Sequence, residues 1–346
     1  MKKNLNSLDV MKFIACLFVA AIHIHPLKSF SENCDFLNIV IARFGVPFFF
    51  MATGFFFFSK IRRCGSFAEE KRTAGAYIRR LLQMYLFWYI VALPTTIYEF
   101  LQDAPITLGY VLRYLGKAVI TSTYRGSWFL TASLIGIILV WLLSRRLSSR
   151  VLLVLGLVFY AFAIAASSYY GFFKDTALMS AYQSYKSVIG IPYNRWYAGV
   201  IYIVLGKVFA DRYPEKLMSR WHAFLGLIAS LGLLVVEMTK LQQMGMIHAN
   251  DCCISLIPLS ICLFALLLQI DLPEGTHYKK MRTISTVTFY LHFQLLAWIT
   301  IAGDRLGFSM DTRVKYVLIV GICFLVTDLI LLLEKKKHFT WLKYAH

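Results

Sequence analysis

Continuous apolar runs of about 20 residues recur along the whole chain, and no other feature restricts its fold as tightly. Hydropathy windows of about 19 residues place them at 8–28, 36–58, 77–99, 127–147, 150–168, 193–210, 221–239, 253–270, 283–302 and 313–333. As helices, such runs cross a hydrocarbon core of about 30 Å. A membrane β-barrel would alternate apolar and polar residues instead. The expected fold is all-α: a polytopic integral membrane protein with about ten transmembrane helices, in one membrane domain over 1–346. The composition agrees, with 59% hydrophobic and 16% charged residues, where soluble domains carry about a quarter charged. The stretch 108–121 is periodic but short, and reads as an amphipathic surface helix or a re-entrant piece. No small-x-small cleavage site follows the first run, which is expected to remain as a permanent helix.

The net charge of +18 raises the question of nucleic acid. Most lysines and arginines, however, fall in the N-terminal tail, including Lys2 and Lys3, and in 59–76, 144–150, 207–220, 279–282 and 335–346. With alternating spans these segments share one side, as the positive-inside rule requires of the cytoplasmic face. Both termini are then cytoplasmic, the bilayer is the partner, and no nucleic acid is needed. The seven cysteines show neither a CxxC pair nor zinc spacing. Cys16, Cys262 and Cys323 read as packing residues; Cys34 and the Cys252-Cys253 pair fall in outer loops, where a disulfide between them is open. His248 and Asp251 are too few ligands for a metal, and none is expected. No P-loop, GxSxG elbow or HExxH occurs.

The first two runs carry groups that a bilayer should exclude. An ionisable side chain at that depth costs at least about 2.5 kcal/mol and usually has a function. Asp9 and Lys12 are three residues apart and can pair. Lys12 and His23 are eleven apart, almost three whole turns, so they share a helix face. His25, two residues on, points elsewhere, which makes the two histidines a poor metal pair. Arg43 precedes Gly45, Pro47 and a run of phenylalanines expected to serve as lipid-facing and packing surface. Opposite helix directions put His23 and Arg43 at similar depth in the outer half of the membrane. His23 reads either as a general base in a polar cavity or as a hydrogen-bonded interfacial histidine. Arg43 reads as a binder of a carboxylate, phosphate or developing oxyanion, or as a structural partner of another buried polar group. Arg79 and Arg80 sit beside Arg62, Arg63, Lys71 and Arg72; they suit the phosphates of a nucleotide-like donor such as coenzyme A, or only hold the loop inside against anionic lipid. Trp128 reads first as an interfacial anchor, and His292 and Asp328 as functional groups or polar helix contacts.

Taken in this order, these residues resemble acyltransferase family 3, the integral-membrane acyltransferases. That family opens its first helix with an Asp, a basic residue three on and a His eleven after that, which here are Asp9, Lys12 and His23. A basic residue then precedes a Val-Pro-Phe-Phe run, here Arg43 before GVPFFFMATGF; Trp128-Phe129-Leu130 and FYLHFQ around His292 match two later blocks. The stretches IACLFVAAIHIHPL and RFGVPFFFMATGFFFF are most similar to the membrane domain of vancomycin-resistance membrane-bound serine racemases. Gly126 and Ser127 stand where the family often has a His, Gln83 replaces the second of two basic residues three apart, and Lys12 replaces the commoner Arg. The resemblance implies transfer of an acyl group, acetyl above all, from acyl-CoA to a small-molecule or glycan hydroxyl or amine in a bacterial plasma membrane. His23 and Arg43 would be catalytic, Arg79 and Arg80 would hold the donor, and Asp9, Lys12, Trp128 and His292 would support. The alternative it implies is a non-catalytic domain that supplies or transports serine for a C-terminal cytoplasmic racemase domain, which here would be absent or cut away.

Overall fold

The computed structural model describes residues 5–103, 107–120, 124–188, 191, 193 and 195–346; Lys2, Lys3 and residue 121 of the amphipathic stretch lie outside them. The helices are α1 (Asn6–Ile24), α2 (Glu32–Ala42), α3 (Gly45–Ile61), α4 (Phe67–Asp103), α5 (Leu108–Ile120), α6 (Trp128–Leu143), α7 (Ser149–Ala165), α8 (Tyr170–Phe173), α9 (Ala177–Val188), α10 (Trp196–Arg212), α11 (Arg220–Gln243), α12 (Leu256–Leu267), α13 (His277–Leu306) and α14 (Thr312–Leu333). A 3-10 segment, Lys337–Ala345, follows, and there is no strand among the described residues. Each predicted run is met by a helix. Among the described residues six segments are long and apolar enough to cross a membrane, and α6, α7 and α12 are shorter apolar helices. The protein is a polytopic helical membrane protein. At 12 residues, α12 is only about 18 Å long, so the 253–270 run is not one continuous helix.

The run 36–58, expected as one helix, is broken at Arg43-Phe44. Pro47 has no N–H, and its ring collides with the carbonyl four residues earlier, that of Arg43. The backbone there tightens into three-residue steps: Arg43 N donates to the Val40 carbonyl at 3.3 Å and Phe44 N to the Ile41 carbonyl at 3.4 Å.

The chain folds into two compact units. One comprises Met1–Gly45, Arg80–Trp128 and Leu272–His346; the other comprises Val46–Arg79 and Phe129–Asp271. In the first unit α1 packs along α13 and α14. Ala20 and Ile24, one turn apart on α1, meet Ile319 and Cys323 of α14, with Leu291 and Leu295 of α13 against them. Tyr316 donates across to the Leu17 carbonyl at 3.1 Å. The start of α3 also comes close to α1: a Cβ at Gly45 would sit 3.3 Å from the Ala15 carbonyl oxygen.

The second unit is built on backbone contact between α3 and α10. A Cβ on Gly206 would lie 2.2 Å from the Met51 carbonyl oxygen, and one on Gly54 2.4 Å from the Ile203 carbonyl oxygen. Much of the phenylalanine run fills this core: Phe48, Phe50, Phe55, Phe57 and Phe58 are buried within the protein, so of the lipid-facing and packing roles expected of the run these five take packing. Phe48, Phe55 and Phe209 all pack on Phe264. Beside them the Tyr202 hydroxyl donates to that of Tyr160 at 2.9 Å, and Tyr160 donates to the Cys253 carbonyl at 2.8 Å.

Candidate functional site

The last turn of α1 and the middle of α13 bring two histidines together in the first unit. The His23 and His292 rings are 5.6 Å apart between centroids, with 26° between their planes. Phe293 flanks both, at 4.5 Å from His23 and 4.0 Å from His292. His292 is wholly buried, whereas His23 is exposed. The arrangement is an accessible imidazole backed by an inaccessible one.

One hydrogen bond fixes the chemistry of the inner ring. His292 Nδ1 lies 2.7 Å from the Thr288 carbonyl, one helical turn earlier. A carbonyl only accepts, so Nδ1 carries the proton, and in the neutral ring Nε2 holds a lone pair. That nitrogen is buried without a partner among the described residues. A buried acceptor left without a donor is uncommon and points to a function.

The chain segment before α6 is shaped to these rings. Gly126 has φ +87°, a left-handed conformation suited to glycine, and a Cβ there would stand 2.7 Å from the Phe293 ring. The position where the family resemblance expects a histidine is thus filled by Phe293. Trp128 opens α6 directly after this turn. Arg43 ends α2, and Arg43, Arg125 and His25 are all within electrostatic reach of His23. Arg125 is itself paired with Glu99 at 2.9 Å.

Other predicted residues stand apart from this pair. Asp9 holds Lys12 at 3.0 Å and Arg282 at 3.7 Å. This cluster is at the N-terminal end of α1, with Lys12 about 16 Å and Asp9 about 21 Å along the axis from His23. Arg79 and Arg80 are both exposed; Arg80 donates to the His346 carbonyl at 3.3 Å and so ties down the C-terminal segment. Asp328 pairs with Lys280 at 2.6 Å on an exposed face, a polar contact between α14 and α13. All seven cysteines are free, so Cys34 forms no disulfide with Cys252 or Cys253. No metal-binding cluster occurs among the described residues.

Sequence reasoning missed the partner of His25. This residue caps α1 in the left-handed region, at φ 56°, and its Nδ1 lies 2.7 Å from Asp35 Oδ2. Asp35 is 4% exposed. The signal was an acid at the start of an apolar run, but its partner depends on a turn that periodicity does not reveal.

The family profile described as "Acyltransferase domain" matches residues 5–332. The chain belongs to acyltransferase family 3. Its similar curated relatives include an "Amino-acid racemase" of Enterococcus faecalis, 28% identical over 83% of this chain and 39% of that protein. A second "Amino-acid racemase" of that organism is 24% identical over 97% of this chain and 47% of that protein. A "Serine/alanine racemase" of Enterococcus gallinarum is 22% identical with the same coverage. This acyltransferase-3 chain therefore spans less than half the length of the relatives it matches. No solved structure matches it.

Proposed function

We propose that this acyltransferase-3 protein moves an acyl group, acetyl on our reading, from a cytoplasmic acyl-CoA to a hydroxyl or amine acceptor near the outer face of a bacterial cell membrane. The reading rests on the His23–His292 pair with its open Nε2 lone pair. His23, the exposed member, takes the proton of the acceptor hydroxyl or amine. The acceptor atom bonds to the thioester carbonyl carbon, the carbon–sulfur bond breaks, and the thiolate leaves and is protonated. Arg43 supports the negative charge that develops on the carbonyl oxygen. His292 acts through His23 as a positioning residue and second proton acceptor. Asp9 and Lys12 hold the inner end of α1, Trp128 anchors the turn that carries Gly126, and the exposed Arg79, with Arg80, meets the donor phosphates.

The test is transfer or hydrolysis of labelled acetyl-CoA by purified protein in vesicles, with His23→Gln as the inactive control. The orientation is tested separately: external thiol reagents should label cysteines introduced near Asn33 and Asn250 but not near Ser66 or Ser148.

A second reading is favoured by the names of the relatives, which are racemases more than twice as long as the match. In it the membrane domain supplies serine to a racemase, and His23 with Arg43 binds the zwitterion. Labelled serine uptake that depends on His23, in protein with no acyl transfer, would select this reading.

A further inference from the structure

Three of the basic segments that the charge pattern expects on the cytoplasmic side, 59–76, 144–150 and 207–220, meet in the second unit around one open cavity of about 340 Å³. That volume is in the range of small-molecule sites. The cavity lies where apolar helices end: Phe58 and Ile61 close α3, Trp141 is in the last turn of α6, and Lys207 and Asp211 are in the last turns of α10. Arg62, Arg145 and Lys207 bring positive charge to it, and Glu70 and Asp211 bring negative. One positive charge is left over.

The three cations are held in different ways. Arg62 is fully engaged: its guanidinium donates to the carbonyls of Ala210, Asp211 and Tyr213 at 2.9, 2.6 and 2.9 Å, and so closes the C-terminal end of α10. Arg145 is only steadied. Its Nη1 donates to Glu70 at 2.9 Å, and its guanidinium carbon lies 3.7 Å from the centre of the Phe67 ring. The N–H groups of Nε and Nη2 are left without an acceptor among the described residues. Lys207, with its side chain 14% exposed, donates to Asp211 at 2.5 Å and to Ser149 at 3.4 Å, and keeps a third N–H. Trp141 Nε1 is buried and has no acceptor among the described residues. Ion pairs with exposed members are weak, so the two acids aim Arg145 and Lys207 without consuming them.

We infer that this cavity is a binding site for a phosphodiester group, and that its occupant is the headgroup of an anionic phospholipid. A phosphodiester carries one negative charge, which cancels the surplus. Its two free oxygens can accept from the open edge of Arg145 and the third N–H of Lys207. Basic pockets between transmembrane helices on the cytoplasmic side are the usual seats of such headgroups. A choline lipid brings its own cation and leaves the surplus unanswered. Phe67, 41% exposed and packed on Trp141 at 6.5 Å, and Leu142, 52% exposed, offer apolar surface for the acyl chains. The site belongs to the second unit, and the inference does not depend on acyl transfer. A soluble phosphodiester shares this chemistry.

The experiment uses the full chain in phosphatidylcholine nanodiscs, read by its thermal unfolding midpoint. In one arm phosphatidylglycerol replaces part of the lipid; in the other its deacylated headgroup, glycerophosphoglycerol, is titrated at constant ionic strength. A saturable rise in the midpoint is expected in the lipid arm. Arg145→Gln and Lys207→Gln should each remove at least half of that rise, and the double variant all of it; Trp141→Phe should remove less. Arg146→Gln makes the same charge change at an exposed neighbour outside the cavity, and should leave the rise intact. If loss of the Glu70 pair unfolds Arg145→Gln, Arg145→Lys keeps the charge without the planar fork and should still remove half of the rise. A response to the headgroup alone would overturn the lipid and make the occupant a soluble phosphodiester. No response in either arm overturns the inference. So does an equal loss from Arg146→Gln, since surface charge would then account for the lipid effect.

Discussion

The two units of this protein solve the problem of close helix packing in opposite ways. In the second unit α3 and α10 touch through glycines, and phenylalanines fill the space around them. Shape decides the middle of that interface, and charge enters at its end, where Lys207 lies 5.7 Å from the Phe58 ring and Arg62, just past α3, donates to the Ala210 carbonyl at 2.9 Å. In the first unit α1, α13 and α14 also meet through small apolar residues, but the seam between α1 and α13 carries Asp9, Lys12, His23 and His292. Volume holds one unit, and polar matching is built into the other. The difference teaches where change is tolerated: the first unit should lose function before it loses its fold, and the second the reverse.

The harshest way to test this contrast is to add volume at the glycines. Gly206→Val puts carbon onto the Met51 backbone, and backbone cannot yield as a side chain can. The expected cost is at or above the roughly 1–3 kcal/mol of ordinary overpacking, seen as loss of monodisperse protein after detergent extraction. Gly232→Ala, where nothing lies within 4 Å, should be neutral or gain up to about 1 kcal/mol from helix propensity. Equal damage at both glycines would break the comparison.

Next in size is the histidine pair. His23→Gln keeps bulk and hydrogen bonding, and it should cost about 10²–10⁴ in acyl-transfer rate while the unfolding midpoint stays put. His292→Gln, at a positioning residue, should cost less than that range, about tenfold, and should displace the pH–rate profile. If either variant failed to fold, polar matching in this unit would be structural after all.

A smaller effect is expected at the neighbouring pair. Asp35 is buried against His25, so His25→Gln or Asp35→Asn should lower stability by roughly 1–3 kcal/mol with little change in rate. The double variant should cost less than the sum of the two. A rate loss as large as that of His23→Gln would extend the site to His25.

The smallest effect concerns Asp311, which caps α14 and accepts from the Arg313 backbone at 2.9 Å and from its guanidinium at 3.0 and 3.1 Å. These bonds, with the guanidinium contributing most, hold the carboxyl below the usual carboxylate range. Its contribution is therefore present above the unfolded value near about 3.9 and is lost as pH falls through the lower folded value. Because the pair is exposed, Asp311→Asn should reduce acid sensitivity only slightly, measured by midpoints between neutral and acid pH.

Much of this was legible in the sequence, because long apolar runs and buried charges are local signals. The helices and the Asp9–Lys12 pair follow from hydropathy and spacing. The break at Arg43 was also written there, in Pro47, but the hydropathy window smooths over it. Other features were beyond reach for a different reason. The Thr288 carbonyl that sets the His292 tautomer is backbone. The meeting of His23 with His292 joins residues far apart in the chain. Which phenylalanines of the run would pack and which would face lipid was out of reach for the same reason, because burial depends on the fold.

The C-terminal segment offers a practical consequence. Trp88 is 2% exposed, packs against the tilted ring of Tyr290 at 5.4 Å, and donates its indole N–H to the Ala345 carbonyl at 3.1 Å. Its excited state therefore samples a dry, hydrogen-bonded environment only while residues 337–346 stay docked. In a variant that keeps Trp88 as the sole tryptophan, a red shift in emission would time the undocking of that segment and follow it in a working membrane.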